Sequence, residues 1–266
     1  MKKMAKILSV VLALVMIMSV FSACGAKKNV LYVAVNAEFP PFETIVDGEI
    51  VGFDIDLIKA IAGKLDMEVQ IDNMEFDGVI SAVNQGADDV AISGLTINET
   101  RKQSVDFSDA YFKGAAQILI VRSDDTHYTG KTKAELDEQL KNQSIGVCSG
   151  FTGAAYASGD AEWGFKAIEG AKVKTYDNIS LAIEDLKNGT INAIIMDDVP
   201  AKEATATDEN KNDIKCIDIA LTVEEYGIAV KKGNTELLGK INQALKELEA
   251  EGELQRIADK WGVTLG

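Results

Sequence analysis

The chain has 266 residues, 47% of them hydrophobic and 26% charged, with 42 acidic residues against 27 lysines and arginines and a single histidine. A formal charge of −15 excludes a surface that attracts nucleic acid or anionic lipid headgroups, since like charges repel at both. The length suffices for one large or two medium domains, and three cysteines are too few for a disulfide-dense scaffold.

The chain opens with the basic stretch "MKKMAK", followed by the apolar run "ILSVVLALVMIMSV". That run is short for a membrane span and right for a signal peptide. It ends in "FSACG", the small–small–cysteine order of a bacterial lipobox, so Cys24 is expected to be the lipid-modified first residue of the mature chain. Ordinary secretory cleavage near Ala26, or a retained anchor, are the alternatives. Removing residues 1–23 takes away Lys2, Lys3 and Lys6 and no acid, which lowers the charge of −15 by three, to −18. Cys148 and Cys216 either pair, as an exported chain permits, or stay as separate core thiols.

Downstream, "VLYVAV" (30–35) alternates and is β-branched, so it reads as a strand. "VDGEIVGF" carries an Asp-Gly hairpin signal. "DIDLIKAIAGKLD" places Ile58, Ile61, Ala62 and Leu65 on one helical face. A strand "EVQI", a helix "DGVISAVNQG" and a strand "DDVAIS" follow, then a helix start at "NETRKQ" with Asn98 as its cap. The pattern restarts with the strand "AQILIV", the helix "KAELDEQLK", the strand and turn "SIGVCSG", the short helix "FTGAAYA" and the strand "KVKTY". Beyond these lie the helix "DNISLAIEDLKNG", the buried strand "INAIIM", the strands "IKCIDI" and "YGIAVKK", and a terminal pair of helices. Alternation of this kind indicates crossover-connected strands. Two such α/β units suggest two lobes, with ligands binding at the carboxyl ends of strands in a cleft between them.

Arg101 stands three residues after its cap, in a helix's first turn, where an acid is usual because the N-terminus carries partial positive charge. It reads locally as a surface arginine. With Ser93, Gly94 and Thr96 it also makes a carboxylate-binding set: a guanidinium fork, two hydroxyls and a glycine that lets backbone approach. Asp197, at the end of an apolar strand, either starts a helix or neutralises an ammonium group. Phe39 and Phe76 each follow a strand, where they either cover a flat or apolar part of a ligand or cap the core. "SGFTG" (149–153) lacks the lysine of a phosphate loop. The aspartate pairs do not have calcium-loop spacing, no His/Cys cluster suggests a metal, and His127 is no partner for Ser149, so neither catalysis nor a cofactor is expected.

Taken together, "FPPFE", "GEIVGFDIDLIKAIA", "FDGVISAV", "AISGLTINETRKQSVDFSDAYF", "IGVCSGFTGAAYA", "NAIIMDD" and "EEYGIAVKKGN" resemble the bacterial extracellular solute-binding proteins of family 3, the polar amino-acid receptors of ABC importers. The resemblance spans about residues 30 to 263. It implies an α/β, two-lobe periplasmic-binding-protein-like fold, each lobe a mixed sheet flanked by helices, joined by two hinge strands near 111–115 and 222–226. The implied boundaries are 1–23 for the signal peptide, 24–29 for the anchor linker, 30–112 and 224–266 for lobe 1, and 113–223 for lobe 2. It maps a ligand carboxylate onto Arg101, Thr96, Gly94 and Ser93, with Thr152 from lobe 2. The α-ammonium maps onto Asp197, and the side-chain clamp onto Phe39 and Phe76.

Asn36 stands where several relatives carry an acid, and Glu38 beside Phe39 is a further pocket acid. Cys148 replaces a lysine of the glutamine-type receptors, Met196 a polar side chain, and Asn192 the usual aspartate. The implied ligand is a free polar amino acid, basic ones slightly ahead of neutral ones such as glutamine or cysteine, with acidic ones rejected. The implied partners are an ABC permease and, through Cys24, the membrane. The receptor is expected to be a monomer on the outer face of the cell membrane. An exported dehydratase-like enzyme on the same fold and a ligand-sensing module are the alternatives.

Overall fold

The computed structural model describes residues 29–266. The expected signal peptide and Cys24 lie outside them. Lobe 1 begins with β1 (Asn29–Val35), β2 (Glu38–Phe39), β3 (Glu43–Val46), β4 (Glu49–Val51), α1 (Phe53–Lys64), β5 (Met67–Asn73), α2 (Phe76–Gln85), β6 (Val90–Ala91), α3 (Glu99–Ser104) and β7 (Val105–Phe107). The chain then crosses on β8 (Phe112–Ala115). The second lobe holds β9 (Gln117–Arg122), α4 (Lys133–Leu140), β10 (Ser144–Cys148), α5 (Thr152–Ser158), β11 (Lys172–Tyr176), α6 (Ile179–Lys187), β12 (Ala193–Asp197), α7 (Asp198–Ala206) and β13 (Ile214–Ile217). Return is by β14 (Glu224–Tyr226), followed by β15 (Ala229–Lys231), α8 (Thr235–Ala250) and α9 (Glu253–Trp261).

The two main sheets run β5-β1-β6-β15-β7 and β11-β10-β12-β9-β13. In each, four strands run the same way and one runs against them, β15 in lobe 1 and β9 in lobe 2. Both sheets are buried on two faces. On β1, Leu31, Val33 and Val35 face Ile55, Ile58 and Ile61 of α1, while Ala34 faces Val79 and Val83 of α2. On β12, Ile194 and Met196 serve one core and Ala193 and Ile195 the other. This period of two, apolar on both sides, is what helix-covered parallel strands require.

The lobes are joined by β8 and β14, which pair antiparallel with a register shift at Glu224/Glu225. "YGIAVKK" is broken rather than continuous: Tyr226 stays on the hinge and Ala229 begins the lobe 1 strand. Small antiparallel strands β2, β3 and β4 turn at Asp47–Gly48, both at positive φ, as the Asp-Gly signal predicts. Cys148 and Cys216 are separate free thiols. No helix among the described residues is long and apolar enough to cross a membrane.

Candidate functional site

Strand ends and helix starts from both lobes converge at the hinge. The loop after β6 brings Ser93, Gly94 and Thr96 to the cleft, and Asn98 caps α3 by accepting the Arg101 backbone N–H at 2.8 Å. With that N–H capped, the Arg101 side chain turns inward. Its Nη1 donates to Thr96 O at 2.9 Å and its Nη2 reaches across to Gly150 O of lobe 2 at 3.1 Å. Phe76 and Trp163 lie over the guanidinium, with ring centroids 5.4 and 5.2 Å away. Arg101 is 9% exposed, and burial lowers its pKa to about 10 against the raising effect of Glu224, Asp197 and Tyr226. A buried guanidinium still holding its charge is a strong anion receptor, because water no longer competes.

Asp197 ends β12 and precedes α7, yet its carboxylate does not cap the helix. Its Oδ1 accepts Tyr226 OH at 2.7 Å. Burial, and then the charge of Glu224, raise its pKa to about 7. Such a group gains most from a cation.

A narrow void of about 10 Å³ lies between these charges, walled by Phe39, Phe76 and Phe151 and by Gly94, Thr96, Arg101, Thr152, Ser93 and Asp197. Phe39 packs on Gly94, whose φ is +51°; a β-carbon there would lie 2.5 Å from the ring. Phe151 meets Phe76 at 4.4 Å and Phe39 at 5.6 Å between centroids. A second void, also of about 10 Å³, shares Phe151 and is bordered by Asn36, Glu38, Cys148, Asp177 and Met196. Burial pushes the Cys148 thiol up to about 12. A larger hollow, about 560 Å³, opens on lobe 2 beside α4. Its Lys133 and Lys141 are already paired with Asp137 and Glu138.

All ten residues singled out from sequence therefore border two adjoining voids, but not all are free to act as expected. Ser93 was expected to offer a hydroxyl to a ligand carboxylate; its Oγ instead donates to buried Glu43 Oε1 at 2.7 Å and accepts Asn36 N–H at 3.0 Å. The Gly94 N–H is held by Asp54 Oδ2 at 2.9 Å. Asn36 Nδ2 donates to Met74 O, and Glu38 is exposed at the rim. Thr96 Oγ1 and Thr152 Oγ1 lie within hydrogen-bond distance of Glu224 Oε2, at 2.6 and 2.8 Å, and 3.2 Å from each other.

Phe151, Trp163, Tyr226 and Glu224 were missed. Phe151 sits inside the "SGFTG" turn already noticed, whereas Trp163 comes from a loop with no local signal. The lobes touch directly: Ser149 Oγ donates to Asp77 Oδ2 at 2.5 Å, and at Gly150, with φ +74°, a β-carbon would lie 2.2 Å from Asp77 Oδ1. No group of three or more potential ligands for a metal occurs among the described residues.

Comparison with known proteins agrees with this architecture. Residues 31–264 match the family model described as bacterial extracellular solute-binding proteins, family 3. The ABC transporter arginine-binding protein 1 of Escherichia coli (strain K12) is 34% identical, covering 94% of this chain and 97% of that one. A probable histidine-binding protein of Neisseria gonorrhoeae is 31% identical over 90% of each. Among solved structures, an ancestral arginine-binding protein bound to arginine superposes with a TM-score of 0.76 at 40% identity, over 88% of this chain and 98% of that one. These relatives are binding proteins, and this chain is likewise a binder and not an enzyme. It belongs to the bacterial extracellular solute-binding proteins of family 3.

Proposed function

We propose that the chain is an exported receptor, anchored through a lipid on Cys24, that closes its lobes on one polar L-amino acid and delivers it as a monomer to an ABC permease. In this reading residues 30–112 and 224–266 form lobe 1 and 113–223 form lobe 2. The observation that carries it is a void lined from both lobes with a buried Arg101 and a buried Asp197 on its wall. One fixed cation and one acid about an apolar gap suit the two charges of an amino-acid backbone. Arg101 takes the carboxylate and Asp197 the ammonium, while Phe39 and Phe76 grip the start of the side chain.

The side chain extends toward the second void. Glu38 and Asp177 border it alongside Cys148 and Met196, without a lysine or arginine. That lining favours basic side chains over neutral polar ones and disfavours acidic ones, since an unpaired buried carboxylate is costly. The arginine and histidine binding named for the relatives supports this order.

A thermal-shift screen of the mature chain against the proteinogenic amino acids, followed by calorimetry, tests the reading. Arginine, lysine or histidine should give the largest shifts, with glutamine behind. Tight binding of glutamate or aspartate would overturn the side-chain assignment, and no shift with any amino acid would overturn the function.

A further inference from the structure

Between α5 and β11 the chain makes a tight excursion whose tip, residues 161–164, lies against the other lobe. Its base is closed. Asp160 and Phe165 exchange backbone hydrogen bonds of 3.0 and 2.8 Å, and Ile168 N–H bonds Ala157 O at 3.1 Å. Gly159, with φ +81°, lies so close to residue 167 that a β-carbon would stand 2.4 Å from Ala167 N. Asp160 Oδ1 then accepts the N–H groups of Glu162 and Trp163, at 2.9 and 3.1 Å, which shapes the tip. Phe165 packs on Tyr156 of α5 with 5.3 Å between ring centroids, so the whole excursion is fixed to lobe 2.

The tip meets lobe 1 at a single element, α3. Glu162 Oε2 accepts Thr100 Oγ1 at 3.2 Å and Gln103 Nε2 at 3.5 Å, and the Trp163 ring centroid stands 5.2 Å from the Arg101 guanidinium. Phe76 also lies over that guanidinium, but it belongs to lobe 1 and stays with Arg101 however the lobes move. Trp163 arrives only with lobe 2. We propose that Trp163 is the seal on Arg101: closure of the lobes lays its ring over the guanidinium, excludes water there, and keeps the contact between Arg101 and a bound α-carboxylate from being screened. This rests on the amino-acid reading of the cleft and deepens it. Two effects act together. An indole attracts a guanidinium more strongly than other rings do, and more so when the pair is desolvated. A guanidinium–carboxylate attraction also grows as the local dielectric falls. Trp163 touches Arg101 rather than the ligand, so it is a positioning residue. Glu162 is exposed, and water competes for its bonds, so it guides the tip more than it holds it.

The test is calorimetry with L-arginine, L-histidine and L-glutamine, at low and at high salt, on the mature wild type, Trp163→Leu, Trp163→Phe and Glu162→Gln. Trp163→Leu leaves every charge in place, so long-range screening is the same as in the wild type and only the local contact differs. It should weaken binding by roughly tenfold at low salt. At high salt it should lose severalfold more than the wild type loses, because a contact opened to water is screened and a sealed one is not. Glu162→Gln should weaken binding only about two- to threefold.

A Trp163→Leu protein with wild-type affinity overturns the proposal. So does one that is weakened but loses no more to salt than the wild type, because Trp163 would then merely pack the lobes together. Should Trp163→Leu fail to melt cooperatively, Trp163→Phe decides. Its smaller ring attracts the guanidinium less, so it must weaken binding by about threefold with the same added sensitivity to salt. Trp163→Phe at wild-type affinity in both salts overturns the proposal as well. A wild type that takes up no amino acid is a different failure, since it removes the functional reading and this role with it.

Discussion

Two pairs of buried acids are tied to the same loop, and they behave differently. Beneath lobe 1, Glu43 and Asp54 are fully buried and hold Ser93 Oγ and Gly94 N–H. Tyr111 OH adds a third bond, to Asp54 Oδ2 at 2.8 Å. Glu43 Oε2 and Asp54 Oδ1 are left without a hydrogen-bond partner. Burial and mutual repulsion push the Glu43 pKa well up, and burial takes Asp54 to about 6. At the hinge, Asp197 and Glu224 are nearly as buried but are met by Tyr226, Gln117 and three threonines, with Arg101 nearby. The first pair is pushed toward its protonated form and, bonded to Ser93, Gly94 and Tyr111, serves as a brace. The second is met by neutral donors and opens on a void. Burial of two carboxylates does not by itself make a binding site; what matters is whether their charge is neutralised from within or left for a visitor.

The largest expected effect sharpens the hinge side of that contrast. Arg101→Ala removes the only arginine on the wall of the void, and truncating one member of a buried charged pair costs roughly 2–5 kcal/mol. Calorimetry should show affinity lost by well over tenfold while the circular dichroism spectrum is kept. Unchanged affinity would remove the carboxylate assignment. Asp54→Ala is the counterpart in the brace. It strands the Gly94 N–H and the Tyr111 hydroxyl, at a cost of roughly 2–3 kcal/mol in folding, read as a lower denaturation midpoint. Asp197→Asn should do the reverse, weakening binding more than folding. If the two variants changed stability and affinity in the same proportion, the division into brace and site would fail.

The pH dependence divides along the same line. Asp54 at about 6 and Asp197 at about 7 both stand above the unfolded value near 3.9. Between those limits the native chain binds more protons than the unfolded one. Their contribution to stability is therefore greatest below the unfolded value and is lost as pH rises through the folded ones. Ligand affinity should move the opposite way, rising between about pH 5 and pH 8 as Asp197 becomes free to meet an ammonium. Melting of the free protein and calorimetry across that range check both slopes, and parallel slopes would break the comparison. The smallest effect belongs to Glu38, which is exposed. Glu38→Gln should weaken a basic ligand only about two- to fivefold, as for a solvated ion pair, and a panel of arginine, lysine and glutamine would show whether even that discrimination exists.

Much of this was legible from sequence because it is local. Alternation at Leu31, Val33 and Val35, the Asp47–Gly48 turn and the Asn98 cap each express a short-range rule, and each is found in the structure. Arg101 was visible as an oddity, a cation where an acid belongs, but its inward turn depends on Gly150 of the other lobe. Trp163 reaches the guanidinium from a separate loop, and no spacing could announce it. Glu224 is an intermediate case. In "EEY" the strand period puts Glu224 and Tyr226 on the buried side and Glu225 on the exposed one, yet nothing local says what the buried acid faces. The commitments of Ser93 to Glu43 and of Gly94 to Asp54 join residues 50 and 40 positions apart. Such pairings follow from the crossovers, and a one-dimensional reading sees only their ends.

The placement of the two tryptophans makes the molecule its own optical instrument. Trp163 lies over the guanidinium that a ligand carboxylate would have to approach, whereas Trp261 is in the last helix with its indole N–H on Asp56. One indole therefore samples the mouth of the cleft and the other reports a surface that ligand entry leaves alone. Intrinsic emission from Trp163, calibrated against the steady signal of Trp261, would follow loading in real time with no dye and no label.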